Sequence, residues 1–209
     1  MPIKKHNPFK IVQMFEEEMA EYCGSKYAVA TDNCTDALLL ACLYENVKNK
    51  EVHIPKHTYI SVPQSIINAG GKPVFEDLEW SGIYQLKPFP IYDSAKRLTS
   101  NMYISGTHMC LSFHLKKPIP IGKGGMILTD NQEAYDWFIK ARYEGRSFKE
   151  GISYMEDPID ILGYNAYMTP EQAARGLWLL QHYPLHAKDQ IENPNYRDLT
   201  TFPLFENTK

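Results

Sequence analysis

No apolar run in this chain approaches the roughly 20 residues a bilayer-spanning helix needs. The basic opening Met1-Pro2-Ile3-Lys4-Lys5-His6 lacks the apolar stretch of a secretory signal, so neither a membrane span nor export is expected. Cysteine is scarce: Cys23, Cys34, Cys42 and Cys110 show no CxxC spacing and no matched framework. That excludes a disulfide scaffold and a zinc ribbon, and fits reduced thiols in a cytoplasmic protein. The seven histidines are scattered, with His108 and His114 read as strand and loop residues, so no metal is expected. Charge of one sign is also missing: a net charge of −3 argues against a nucleic-acid or anionic-membrane partner. Internal repeats and low-complexity segments are absent. What is present, 44% hydrophobic and 22% charged residues over 209 positions, is enough for one sizeable α/β domain with its own core.

Periodicity gives the order of elements. Phe9, Val12, Phe15, Met19 and Tyr22 recur at helical spacing, with Glu16-Glu17-Glu18 facing out and Gly24 as the stop. Tyr27 to Ala30 reads as a strand, then the capping residues Thr31 to Asp36 lead into a helix from Ala37 to Leu43. Val52 to Ile54 is a strand, Ile60 to Ala69 a helix stopped by Gly70-Gly71, and Pro73 to Phe75 a strand. Met109 to Phe113 and Met126 to Leu128 are further strands, Asn131 to Tyr143 a helix, and Thr169-Pro170-Glu171-Gln172 a strong helix start. From Tyr183 onward, Pro184, Pro194 and Pro203 among polar residues predict an extended tail. Alternating strands and helices imply a mainly parallel sheet with helices on both faces and a ligand at the carboxyl ends of the strands.

The residues just after those strands carry the chemistry. The strand–turn–helix at Thr31 to Thr35 aims free amides and a positive helix end into one place, which suits an anion, although Thr35 or Asp36 as a plain helix cap explains the same pattern. Tyr92-Asp93-Ser94 sets a carboxylate at the end of an apolar run. Ser112-Phe113-His114-Leu115-Lys116-Lys117 ends the next strand in lysines ahead of Gly122-Lys123-Gly124-Gly125. An amine that can form an imine and a carboxylate that can pair with a pyridinium nitrogen are the groups pyridoxal phosphate requires. Either could instead be a solvated surface charge; their shared placement with Tyr59 after strands is what points to one site.

Six stretches, taken in order, resemble the DegT/DnrJ/EryC1/StrS family of sugar aminotransferases, which depend on pyridoxal 5′-phosphate and have the aspartate aminotransferase fold (fold type I). They are Phe15 to Val29, Asn33-Cys34-Thr35-Asp36-Ala37-Leu38, Ile54 to Tyr59, Asn68 to Asp77, Asp93 with the Ser112 to Gly125 motif, and Gly163-Tyr164-Asn165 with Met168 to Ala174. The resemblance implies a three-layer α/β/α domain over residues 1–183, shortened between 76 and 93, with a proline-rich tail over 184–209 and no small C-terminal domain. It implies that Lys117, rather than Lys116, joins the coenzyme and moves its proton, and that Asp93 faces the ring nitrogen. Tyr59 would stack on the ring, Asn33, Thr35 and Ser112 would hold the phosphate with Cys34 as the small residue of the same turn, and Asn165 would reach the phosphate from a partner in a homodimer with shared sites. The substrates implied are an amino acid, glutamate by expectation, and a nucleotide-linked keto sugar. Departures are Lys96 near the coenzyme oxygen, Cys34 for glycine and Lys123 for an acid. These and the missing domain leave an alternative: a catalytically reduced coenzyme-binding or assembly protein that needs a partner chain.

Overall fold

The computed structural model describes residues 7, 9–147, 155–190 and 196–208. Its helices are α1 (Lys10–Cys23), α2 (Cys34–Tyr44), α3 (Ser61–Asn68), α4 (Gln132–Ala141) and α5 (Pro170–Gln181). Its strands are β1 (Tyr27–Thr31), β2 (Glu51–Pro55), β3 (Lys72–Glu76), β4 (Tyr84–Gln85), β5 (Ile91–Asp93), β6 (His108–Ser112) and β7 (Gly125–Thr129). Among the described residues no helix is long and apolar enough to cross a membrane.

Five strands pair in the order β1-β7-β6-β5-β4, and β2 pairs with β3 beside them. Lys87, just beyond β4, joins the two groups: the His53 amide donates to its carbonyl at 2.8 Å and its own amide donates back at 3.1 Å, in antiparallel register. β1, β2, β3, β5 and β6 therefore run one way and β4 and β7 the other. The sheet is mixed: its strands mostly share a direction, but the opposed β4 and β7 leave β2–β3 and β5–β6 as the parallel pairs.

Successive strand residues point to opposite faces, and the core splits accordingly. Val29, Cys110, Ile127 and Ile91 pack with α2, α3 and α4 on one face. Ala28, Ala30, Met109, Leu111, Met126 and Leu128 pack with Phe15 and Met19 of α1 and Ala173 of α5 on the other. Strands covered on both faces read as unbroken apolar runs, as Met126-Ile127-Leu128 does. This is a three-layer α/β/α arrangement. α1 stops at Gly24, whose φ of 79° no β-carbon residue adopts cheaply. α5 begins in a full capping box of Thr169 and Gln172 with Pro170 in the first turn.

Glu16 corrects the reading of an outward-facing acidic triplet. It is 5% exposed, pairs with the buried Arg142, and accepts the Ala30 amide at 2.7 Å, while Arg142 donates to the Ala30 carbonyl at 2.7 Å. β1 is an edge strand, and an edge turned inward must find partners for its backbone groups. The ion pair supplies them. Glu16→Leu strands the buried guanidinium and is expected to cost about 3–5 kcal/mol in urea unfolding. Adding Arg142→Met recovers only part of that loss, because it removes the unpaired charge but leaves the Ala30 amide and carbonyl without these partners.

The described residues after α5 do not extend away. The Tyr22 hydroxyl donates to the Pro184 carbonyl at 2.7 Å, Arg97 clasps Asp189 through Nε and Nη2 at 2.7 and 2.6 Å, and the Gln190 amide donates to the Lys96 carbonyl at 2.9 Å. Further on, the Leu199 amide bonds the Lys56 carbonyl at 3.0 Å, and Phe205 is buried against Phe75. Two short 3-10 turns, Leu199–Thr201 and Pro203–Thr208, replace the expected extended run. Composition counted the polar residues; Leu199 and Phe205 do the anchoring.

Candidate active site

The strand ends open into a cavity of about 430 Å³, within the size range of small-molecule sites. Asn33, Cys34, Thr35, Tyr59, Asp93, Lys96, Ser112 and Lys117 all line it. Asn165 does not; its side chain donates to Glu144 at 2.9 Å on the exposed side of the Tyr143–Asn165 bridge.

The anion-binding end is built where β1 turns into α2. Asn33, extended at φ −164°, is the helix cap: its Oδ1 accepts the Asp36 amide at 2.8 Å. The cap is thus Asn33 and neither Thr35 nor Asp36. Its Nδ2 also bonds Asp32 at 2.5 Å and Asp36 at 2.8 Å, so the Asn33 side chain is engaged within the turn. The groups left to face an anion are the first-turn amides of Cys34 and Thr35, which helix geometry leaves without intrahelical acceptors. Thr35 Oγ1 donates to Ser61 Oγ at 2.9 Å, and Ser61 opens α3 on the same cavity. Behind this turn, Lys123 holds Asp32 at 2.6 Å. Burial, then the hydrogen bond and repulsion from Asp32, push the Asp36 carboxyl up to about 6. Gly125 makes the junction possible: a β-carbon there would lie 2.4 Å from the backbone of Asn33.

Asp93 ends β5, 6% exposed, and both its oxygens are held. Oδ1 accepts the Ala95 amide at 2.9 Å and Oδ2 the Tyr84 hydroxyl at 2.9 Å. Burial pushes its carboxyl up, while those two hydrogen bonds and the Lys117 and Lys96 charges act the other way. Lys117, half-buried, follows β6 in a turn closed by its amide on the His114 carbonyl at 2.9 Å; Lys116 is exposed at the same rim. Burial drives the Cys34 thiol well above its ordinary range, so it acts as a small apolar wall. Lys96 lies over two rings, 5.3 Å from the Trp80 centroid and 4.8 Å from that of Tyr196. Tyr59 is 58% exposed and presents an open ring at the cavity wall.

Thr58, Ser61, Trp80, Gln190 and Tyr196 also line the cavity and were not singled out by sequence reasoning. Ser61 had a signal, a hydroxyl opening a helix after a strand. Trp80, Gln190 and Tyr196 had none, because they reach the site through long-range packing.

A buried carboxylate and an amine at neighbouring strand ends, with a helix N-terminus beside them, form a cavity of the kind α/β proteins use for ligands at their strand ends. The chain belongs to the DegT/DnrJ/EryC1/StrS aminotransferase family, whose model matches residues 5–91 and 102–197. Asp93 and Lys96 fall between those stretches, so their place in the site rests on the geometry above. The chain is 26% identical to spore coat polysaccharide biosynthesis protein SpsC of Bacillus subtilis, over 81% of its own length and 56% of that protein's. It is 28% identical to a GDP-perosamine synthase of Escherichia coli O157:H7, over 81% and 57%. Its fold matches PseC of Helicobacter pylori, an aminotransferase of pseudaminic acid biosynthesis, with a TM-score of 0.68 at 21% identity, over 82% and 57%. The chain therefore spans less than two thirds of the length of these relatives.

The family's coenzyme is pyridoxal 5′-phosphate, and the donor set fits it. The α2 amides with Thr35, Ser61 and Ser112 would suit its phosphate, the hydrogen-bonded Asp93 would suit a protonated ring nitrogen, and Lys117 would suit its aldehyde.

Proposed function

We propose that this chain binds pyridoxal 5′-phosphate in the cavity and transfers an amino group from an amino acid, with glutamate as donor, to a nucleotide-linked keto sugar. The observation that carries the reading is the convergence of buried Asp93 and half-buried Lys117 on one cavity beside the N-terminus of α2. Bound there, the coenzyme supplies an electron sink for the carbon that loses its proton. Asp93, fixed by two hydrogen bonds, keeps a proton on the ring nitrogen. Lys117 would supply the amine that joins the coenzyme aldehyde and, once displaced by the donor, the base that moves a proton at the donor carbon. Thr35, Ser61 and the α2 amides anchor the phosphate so that these groups stay aligned. Tyr59 offers a face for a planar ring.

The domain is taken as residues 1–183 with 184–209 as its tail, in a cytoplasmic homodimer. Asn165, turned away from its own cavity, is then available to the site of a second copy. Against the alternative of a catalytically reduced binding protein, which Lys96 and Cys34 in the cavity would suit, stand Lys117 and Asp93, which line the same cavity.

Cofactor-free protein titrated with the coenzyme should gain a near-visible absorption band. Glutamate should bleach that band with release of 2-oxoglutarate, and a nucleotide-linked keto sugar should restore it with formation of the amino sugar. Coenzyme binding that no amino donor perturbs overturns the assignment.

A further inference from the structure

Tyr84 is the feature of the site that the reaction above leaves unused. It lies in β4, in the shortened span before β5, and its register partner across the strands is Asp93 itself. The ring is 4% exposed and braced edge-on by Trp80 at 4.8 Å. Its hydroxyl has two partners: Asp93 Oδ2 at 2.9 Å and Thr58 Oγ1 at 2.6 Å. Thr58, 2% exposed, follows β2, so three strand ends meet at this phenol.

One proton fixes the direction of the chain. An ionised carboxylate only accepts, so Tyr84 donates to Asp93 and must accept from Thr58. A protonated Asp93 would reverse the order. Burial, and next the Asp93 charge, push the Tyr84 phenol well above its ordinary range, so it remains a donor.

We propose that Tyr84, steadied by Thr58, is a positioning residue that aims the Asp93 carboxylate into the cavity and holds it in its acceptor form. The inference rests on the coenzyme reading of the cavity, but the contact itself exists without coenzyme. Tyr84 is not among the residues that line the cavity; it acts through Asp93. The other groups facing Asp93 are Lys117, Lys96, Cys34 and Cys110. Burial keeps the two thiols neutral, which leaves two cations, the Ala95 amide and one phenol to set the charge at position 93.

The test is Tyr84→Phe, with Thr58→Val as the second variant. In cofactor-free protein carrying ¹³C-labelled aspartate, Asp93 ionisation is followed by its carboxyl shift, with Asp93→Asn to assign the signal. Tyr84→Phe should raise the Asp93 midpoint by about one to two pH units, the effect of one hydrogen bond to a charged group. Thr58→Val should raise it less, in the same direction. With coenzyme bound, Tyr84→Phe should lower kcat about 10-fold or more, with a smaller change in the donor KM. An Asp93 midpoint within a few tenths of a unit of wild type in folded Tyr84→Phe overturns the proposal. If that variant does not fold, an unmoved midpoint in Thr58→Val does so instead. A wild type that binds no coenzyme sinks the proposed function, while the cofactor-free midpoints still decide the role of Tyr84.

Discussion

Lys117→Ala should abolish the near-visible coenzyme band and reduce amino transfer by about 10²–10⁴-fold or more, the range for one positioned acid–base group. The protein should stay folded. Lys117 makes no ion pair among the described residues, and its structural contribution, the turn bond from its amide to the His114 carbonyl, belongs to the backbone and survives the substitution. Lys116→Ala is the matched control. Both lysines line the cavity, but Lys116 is exposed at the rim while Lys117 is half-buried within electrostatic reach of Asp93. Lys116→Ala should therefore keep the band and most of the activity. Melting temperatures of both variants close to wild type would show that the loss is chemical. The reverse pattern, with the band kept in Lys117→Ala and lost in Lys116→Ala, would move the reactive amine by one residue.

Much of this arrangement is readable from sequence because the relevant signals are local. The α1 stripe, the Gly24 stop and the Thr169-Pro170 helix start each depend on neighbours within one or two turns, and each forms where expected. The shared placement of Thr35, Tyr59, Asp93 and Lys117 after strands needs no knowledge of strand order, since an α/β sheet gathers those ends on one edge. What periodicity does not carry is the identity of cross-strand partners. Glu16 looks like a solvated charge until Arg142, far along the chain, is known to meet it at the β1 edge. Likewise the span between 76 and 93 reads as a deletion, with nothing in it to show that Tyr84 would stand in register with Asp93. The cap at α2 shows a third limit. Asn33, Thr35 and Asp36 are all competent capping residues, and the choice turns on Asn33 taking an extended backbone.

Asp93→Asn should separate function from stability. In the loaded protein it removes the charge that keeps the ring nitrogen protonated, and amino transfer should fall on the order of 10²–10³-fold, the scale for losing one preorganised electrostatic partner. Without coenzyme the same change should stabilise the fold. Burial lifts the Asp93 carboxyl above its ordinary value, so the folded state binds its proton more tightly than the unfolded chain does. For a carboxyl shifted in that direction, stability falls as pH rises from the ordinary carboxylate range through the raised value. An uncharged amide escapes that slope. Its oxygen can still accept the Ala95 amide, and the Tyr84 hydroxyl can turn to accept from the new NH2 group and donate to Thr58. The melting temperature of cofactor-free Asp93→Asn should exceed that of wild type at pH 8, and the gap should narrow towards pH 4. A variant that melts below wild type at pH 8, with activity retained, would mean that the carboxylate is neither costly to bury nor needed by the chemistry. On the proposed reading a protonated ring nitrogen would add to the Ala95 and Tyr84 hydrogen bonds and the Lys117 and Lys96 charges in offsetting the cost of a buried negative charge at this strand end.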